Sequence, residues 1–322
     1  MISFIVIGLN RFFFLQKCFE SILFFVNKSK INFEIIYVDS GSDEDNVKLS
    51  LNSGFKTIKL SGDINAAIAR NVGADLAKGD YLIFMDGDMI LNHSFAKKFL
   101  NKNYFKSNRY FSGDLLNRFY NNNYEFINEE FYWRKPLKEK KIESTTGGLF
   151  CITKDLWNSV DGMRNYYRRT QDNDFGLRLA KNNIFLQRNK ELFVIHQTVS
   201  YTNKYRLIKI LFKGDFFFRG LLYRDHFFNK KSWDILLKTD YSLITLLISI
   251  ILSFILMNFK FIIIHLIITI MRALRAFIKN SENVFLYFIY ILVRDYQVFF
   301  SFLFFYPQKN KNYKFEILKH EI

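Results

Sequence analysis

Tyr81-Leu82-Ile83-Phe84-Met85-Asp86-Gly87-Asp88 is a mostly apolar run that ends in two carboxylates separated by a glycine. Its first five residues read as a short buried strand, because a parallel strand covered on both faces has no need to alternate. Acids that end such a strand face a cleft or hold a cation, since an unpaired buried carboxylate is costly. Asp86 and Asp88 are hard oxygen donors, suited to a Mg²⁺ or Mn²⁺ ion that also bridges a diphosphate. Gly87 lets the backbone turn and approach a ligand closely. The tripeptide alone reads equally as a solvated Asp-Gly turn, so the flanking chain decides.

Upstream, strand and helix signals alternate. Ile2 to Ile7 is an apolar strand. It lacks the basic segment that precedes the apolar core of a secretory leader, and it is short. A helix is predicted from about Arg11 to Val26, a strand from Phe33 to Val38 and a helix near Glu44 to Leu51. A strand near Lys56 to Leu60 and a helix near Asn65 to Ala77 then lead into the opening strand. This βαβ spacing predicts an α/β fold with an open, mainly parallel sheet and helices on both faces. Ligands of such sheets bind beyond the carboxyl ends of the strands. Those ends carry Asn10, Asp39, Asp86 and Asp88.

The 322 residues hold 46 Lys+Arg against 30 Asp+Glu, a formal charge of +16 that points to anionic partners. Half of the residues are hydrophobic, with 39 Phe, and they crowd toward the C-terminus, which favours a membrane over nucleic acid. Cys18 and Cys151 are far apart and form no metal spacing, as expected of small buried residues in a reducing compartment.

Four segments occur in order: Phe4-Ile5-Val6-Ile7-Gly8-Leu9-Asn10, Ile35-Ile36-Tyr37-Val38-Asp39-Ser40-Gly41-Ser42, Ala69-Arg70-Asn71-Val72-Gly73 and Phe84-Met85-Asp86-Gly87-Asp88. Together they resemble the nucleotide-binding half of a family 2 glycosyltransferase with the GT-A nucleotide-diphospho-sugar transferase fold. The resemblance implies that Asp39 contacts the nucleobase or ribose of a nucleotide-sugar donor and that Arg70 lines the donor pocket. It also implies that Asp86 and Asp88 form the DxD motif for a divalent cation, with Asp88 the direct ligand. Two residues depart from the pattern: Ser40 stands where a second Asp is common, and Arg11 where an acid often follows Asn10.

From Asn92 to Lys141 the pattern is sparse, with a possible strand at Arg109 to Leu116 and an Asn/Tyr/Phe-rich stretch that reads as structural or acceptor-side. Thr145-Thr146-Gly147-Gly148-Leu149-Phe150 is more specific, because paired glycines before a strand permit close approach to a ligand. Gly148 is therefore a candidate donor contact. In Thr170-Gln171-Asp172-Asn173-Asp174, Thr170 reads as an N-cap of a helix from Asp172 to Lys181. An acid there is stabilised by the helix dipole and needs no further role. The resemblance instead makes Asp172 the base that deprotonates the acceptor hydroxyl, with Gln171 in place of a usual Glu. His196 closes a strand at Leu192 to Ile195; a lone His there is commonly structural, and the resemblance brings it to the metal or diphosphate.

Tyr201 to Arg224 interleaves Lys204, Arg206, Lys209, Lys213, Arg219 and Arg224 with aromatics, as in an interfacial helix on anionic lipid. Tyr241 to Met257 is an uncharged run, ~25 Å as a helix and just long enough to span. Asn258-Phe259-Lys260 interrupts it, and Phe261 to Met271 resumes. Lysines and arginines flank this pair, which predicts a hairpin with its turn away from the cytoplasm. Val284 to Tyr306 contains Arg294-Asp295; a mid-bilayer charge costs at least ~2.5 kcal/mol, so this run spans only if protein shields the pair. It is expected along the interface with Arg294 toward water.

The expected organisation is a catalytic domain over 1–235, whose 201–235 segment is interfacial, membrane-anchoring helices over 236–306 and a basic cytoplasmic tail over 307–322. The expected activity is an inverting, metal-dependent sugar transfer to a saccharide or lipid-linked acceptor at the inner membrane, with the catalytic domain in the cytoplasm. A catalytically inactive nucleotide-sugar-binding membrane scaffold is the alternative, kept open by Gln171. An RNA-binding protein would rest on charge and aromatics alone and would show steeply salt-dependent affinity.

Overall fold

Near-continuous apolar runs leave no face for water, and they become the centre of a sheet. In the computed structural model, which describes residues 1–9, 12–28, 31–99, 104, 107–121, 123–199, 210–280 and 283–318, the first half alternates regularly. β1 (Ile2–Gly8), α1 (Phe12–Lys28), β2 (Phe33–Asp39), α2 (Glu44–Asn52), β3 (Lys56–Gly62), α3 (Ala66–Leu76) and β4 (Tyr81–Asp86) follow one another. β1 pairs in parallel with β2 and β4, with Ile5 opposite both Ile36 and Phe84. Alternate side chains serve opposite faces: Phe4 and Val6 pack with α1 residues such as Leu15 and Phe19, and Ile5 and Ile7 with α3 residues such as Ala67 and Ile68.

Beyond β4 come β5 (Met89–Leu91), α4 (His93–Phe99), β6 (Tyr110–Tyr120), β7 (Phe126–Phe131), β8 (Lys141–Glu143), β9 (Phe150–Thr153), α5 (Lys154–Asn158), α6 (Gln171–Lys181) and β10 (Leu186–Val199). The helices of the second unit intervene before β11 (Tyr313–Leu318). The strands form one sheet in the order β11-β3-β2-β1-β4-β9-β6-β10-β5, with β7 on β6 and β8 on β10. The β3-β2-β1-β4 core is parallel as expected. Strands β9, β5, β7, β8 and β11 join antiparallel, so the whole sheet is mixed.

The chain divides into two compact units, 1–200 with 308–322, and 201–307. The expected tail thus contains a strand: Tyr313, Phe315 and Ile317 face Gly62, Leu60 and Ile58 in the register of β11 on β3. The alternation Tyr-Lys-Phe-Glu-Ile is a period-2 signal that the neighbouring lysines obscure.

The second unit contains α7 (Phe217–Asp225), α8 (Lys230–Thr239), α9 (Tyr241–Ile255), a 3₁₀ turn at Phe259–Phe261, α10 (Ile262–Asn280) and α11 (Val284–Phe304). Its core gathers Tyr223, Leu236, Leu243, Leu246 and Val298. Phe259–Ile278 and Val284–Phe304 are long and apolar enough to cross a membrane, with mean hydropathies of 2.1 and 1.3. Large apolar side chains point outward here, Met257 87% and Ile278 83% exposed, as lipid-facing residues do. In the first half of the expected hairpin, α9 has 15 residues, ~22 Å, and meets α8 at a 93° bend, which makes the pair a broken span or a re-entrant loop. Arg294 is corrected. It is 9% exposed, bonds Asp295 at 2.8 Å and lies 3.5 Å from Asp240, so the protein shields the pair instead of turning it to water. In the expected interfacial segment, Lys204, Arg206 and Lys209 lie outside the described residues. Arg219 pairs with Asp240 at 2.8 Å and Arg224 donates to the Phe305 carbonyl at 2.6 Å, so both are committed within the unit.

Candidate active site

The carboxyl ends of β1, β2 and β4 open on one cleft of about 360 Å³, within the usual range for a small-molecule site. Ile7, Gly8, Ser40, Asn46, Asn65, Asp86 and Asp88 line it. The strand ends are tied together by backbone: Gly87 N donates to Ile7 O at 2.8 Å and Ser40 N to Gly8 O at 2.9 Å. Asn10 lies outside the described residues.

Asp39 sits at the expected strand end, and its carboxylate turns into the protein. It is fully buried and accepts from Tyr37 Oη at 3.0 Å and from the amides of Gly41 and Ser42 at 3.0 and 2.8 Å. These bonds fold the loop after β2 as an Asx turn, and the cleft wall falls to Ser40 and Asn46.

The two acids after β4 have different neighbours. Arg70, on α3 and 4% exposed at its side chain, donates from Nη2 to Asp86 Oδ1 at 2.6 Å. Burial raises the pKa of the Asp86 carboxyl, Arg70 opposes it, and Asp88 adds to the rise. Arg70 Nε and Nη1 are buried with no hydrogen-bond partner. Gly148, just before β9, packs against this carboxylate: a Cβ there would lie 2.5 Å from Asp86 Oδ2 and 2.3 Å from Met89 Cε. Only glycine leaves room for the acid.

Asp88 faces His196. The imidazole Nε2 is 3.5 Å from Asp88 Oδ1, and Nδ1 is 2.9 Å from Asn117 Oδ1 on β6. An amide oxygen only accepts, so Nδ1 is the donor to Asn117, and Nε2 is the nitrogen that faces Asp88. An imidazole nitrogen and a carboxylate oxygen so arranged suit a shared cation, and an oriented outer nitrogen is the usual support of a ligating histidine. Among the described residues no group of three or more His, Cys, Asp or Glu side chains is arranged to hold a metal by itself. A Mg²⁺ or Mn²⁺ site completed by substrate phosphates and water needs only one or two protein carboxylates. The Asp88–His196 pair fits that kind of site, and Asp86 stands behind it on Arg70.

At the start of α6 the structure separates two acids the sequence leaves side by side. Asp174 is fully buried between Arg164 Nη1 at 3.1 Å and Arg178 Nε at 3.0 Å. Asp172 is partly exposed, accepting from Thr145 Oγ1 at 3.3 Å and Asn173 Nδ2 at 3.2 Å. Thr170 stands at the N-cap position, its carbonyl accepting from Asp174 N at 2.9 Å, but with φ 57° its hydroxyl donates to the Arg169 carbonyl and makes no cap bond to the helix. Gln171 Oε1 is buried without a partner. At Gly176 a Cβ would meet Ser144 O at 2.3 Å, so α6 lies directly on the segment that leads to Gly148. Two residues, and at most ~11 Å of chain, separate the Asp172 partner Thr145 from the glycine against Asp86.

Asn71, Asn65 and Asn117 escaped the sequence reading. Asn71 Nδ2 donates to Met163 O at 2.6 Å, and its Oδ1 accepts from Met163 N at 2.9 Å. Asn65 caps α3 and donates to Asn165 O at 2.7 Å. Together they pin the loop before α6. Asn71 sits in the Ala-Arg-Asn segment, and its adjacency to Arg70 was the available signal; Asn117 left none.

Residues 3–196 match the family model described as glycosyl transferase family 2. A curated relative from Haemophilus influenzae, an uncharacterized glycosyltransferase, is 28% identical over 200 residues, covering 56% of this chain and 62% of its own. A second uncharacterized glycosyltransferase from Haemophilus influenzae is 33% identical over 87 residues, 26% of this chain and 35% of the relative. The chain thus spans less than two thirds of the length of either. Among solved structures, GalNAc-T7 with UDP, GalNAc and Mn²⁺ aligns at TM-score 0.47 and 15% identity, over 61% of this chain and 44% of that one.

Proposed function

Because the chain belongs to glycosyl transferase family 2, we propose that it transfers a sugar from a nucleotide-diphosphate donor to a membrane-associated saccharide or lipid-linked acceptor, with inversion at the anomeric carbon. The observation that carries this reading is the convergence of Asp88, His196, Asp86 and Arg70 at the carboxyl end of β4. The donor diphosphate would lie there, with the nucleoside toward Ser40, Asn46 and Asn65.

Asp88 and His196 would hold a divalent cation, which when bound offsets charge on the leaving diphosphate. Arg70 and Gly148 fix the Asp86 carboxylate in place, so Asp86 contributes a set negative charge beside the ligands. Asp172 takes the proton from the acceptor hydroxyl as its oxygen attacks, holding that proton on a carboxylate oxygen. Thr145 and Asn173 orient it, and Asp174 is unavailable because two guanidiniums occupy it. An available Asp172 also favours an active enzyme over the inactive scaffold that Gln171 keeps open.

Two helices long and apolar enough to cross a membrane favour an acceptor held at the bilayer, in cell-surface polysaccharide or glycolipid synthesis, with the catalytic unit on the cytoplasmic side. The test is a panel of nucleotide sugars incubated with the full chain, Mn²⁺ and membrane extract, read as nucleotide diphosphate release. Release with one donor, lost in Asp172→Asn, is expected. No release with any donor overturns the reading.

A further inference from the structure

One short stretch of chain touches both the proposed base and the acid paired with Arg70. Residues 144–148 carry Thr145, which donates to Asp172 Oδ2 at 3.3 Å, and Gly148, which abuts Asp86. The stretch runs between β8 and β9, outside any strand or helix. Irregular chain keeps two such contacts in place only when a rigid scaffold holds it.

Both ends of the stretch lead to Arg188 on β10. At one end, Glu143 closes β8 and accepts from Arg188 Nε at 2.7 Å. At the other, the Leu149 carbonyl accepts from Ser112 Oγ at 2.6 Å, and the same hydroxyl accepts from Arg188 Nη1 at 3.3 Å. Nη1 also donates to Gly113 O at 2.8 Å, which ties the guanidinium to β6. Between the ends, a Cβ on Gly147 would lie 3.7 Å from Arg188 Nη2. One planar fork thus meets the stretch at both ends and near its middle.

The sheet is adjusted around this side chain. Arg188 pairs with Ser112 in the β10–β6 ladder, and the register then slips, so that Leu192 pairs with Asp114. Such bulges recur beside active sites, where they re-aim a side chain. Asn189, inside the slip, donates to Ser112 O at 2.8 Å. Arg188 is 7% exposed and Glu143 8%. A buried ion pair is a poor device for stability alone, since an apolar pair of similar volume does as well or better. What the guanidinium adds is direction, several donors fixed in one plane.

We propose that Arg188 is a positioning residue for sugar transfer: it holds residues 144–148 so that Thr145 orients the Asp172 carboxylate while Gly148 stays against Asp86. It acts through the stretch and not on the substrates. The role rests on the glycosyltransferase reading, in which Asp172 is the base.

The test uses the full chain in detergent micelles. Arg188→Lys keeps a charge opposite Glu143 and loses the fork. Arg188→Met combined with Glu143→Gln removes both charges, so no carboxylate is stranded. Both variants are expected to fold and to bind a fluorescent nucleotide diphosphate with Mn²⁺ as the wild type does. Their kcat should fall about 10²-fold with donor KM unchanged, the signature of a small misplacement. Hydrogen exchange at 144–148 should rise in both. Wild-type kcat in either variant overturns the proposal, and so does unchanged exchange. Failure of both variants to fold, or equal loss of nucleotide binding and transfer, makes the pair structural and also overturns it. A wild type that transfers no sugar from any donor refutes the transferase reading, while the exchange result still decides whether Arg188 holds the stretch.

Discussion

Arg70 and Asp86 form an ion pair of 2.6 Å whose guanidinium is almost wholly enclosed. The pair makes the two acids of the Asp-Gly-Asp turn unequal: Asp86 is held by an arginine from α3, whereas Asp88 lies beside the imidazole of His196. Asp86 is tied to the scaffold, and Asp88 is the acid proposed to hold the cation.

Removing Arg70 therefore costs stability. Arg70→Met is expected to destabilise the chain by about 3 kcal/mol, because it strands a carboxylate in a crowded site. Thermal unfolding in detergent measures it. Asp88→Asn should unfold with the wild type and lose Mn²⁺-dependent nucleotide binding. Equal destabilisation by both variants would contradict the division of roles.

Asp172 and Asp174 should separate chemistry from folding. Asp172→Asn is expected to lower transfer by about 10²- to 10⁴-fold with nucleotide binding intact. Asp174→Asn should lower the unfolding temperature, since it breaks a buried contact to two arginines. Near-normal transfer by Asp172→Asn would require another proton acceptor.

Asn117 predicts a metal effect at one remove. Asn117→Ala frees the His196 ring to rotate or change tautomer, and should weaken Mn²⁺ affinity by about 10-fold or more. Mn²⁺ titration of nucleotide binding reads this directly, and chelation should abolish the binding altogether. A titration identical to wild type would remove His196 from the ligand set.

Asn71 tests the loop before α6. Asn71→Ala loses bonds to Met163 and Asn165 and leaves a buried amide and carbonyl unsatisfied, a cost of about 1–3 kcal/mol. Transfer should fall more than donor binding, because the loop leads to Asp172. Hydrogen exchange at 163–170 should rise; unchanged protection there would sink the argument.

What the sequence disclosed follows the range of the interactions involved. The β1–β4 core was legible because apolar runs, turn residues and βαβ spacing are local, and Ile5, Ile36 and Phe84 fall where those runs place them. The neighbourhood of His196 was not, since Asn117 reaches it through a parallel pairing of strands 79 residues apart. Asp39 was found at the right strand end, but which way its carboxylate turns depends on Tyr37 and two loop amides. Arg294 looked like a liability in an apolar run because its partner Asp240 lies on a different helix boundary. Local pattern located the acids, and only packing assigned them.

The pairing of β11 with β3 has a consequence for the path of the chain through the bilayer. A thread that leaves a sheet after Val199 and returns to hydrogen-bond with the same sheet at Tyr313 begins and ends in one aqueous compartment. Between those points it crosses the membrane an even number of times. α10 and α11 are each long and apolar enough for one crossing, and a third by the bent α8–α9 pair would conflict with β11 on Thr57 to Gly62. A single cysteine at Lys311 should accordingly react from the same side as one at Glu44, with Cys18 and Cys151 removed. The last strand is in effect a parity lock: whichever face of the membrane holds the sheet, both ends of the membrane segment are bound to it.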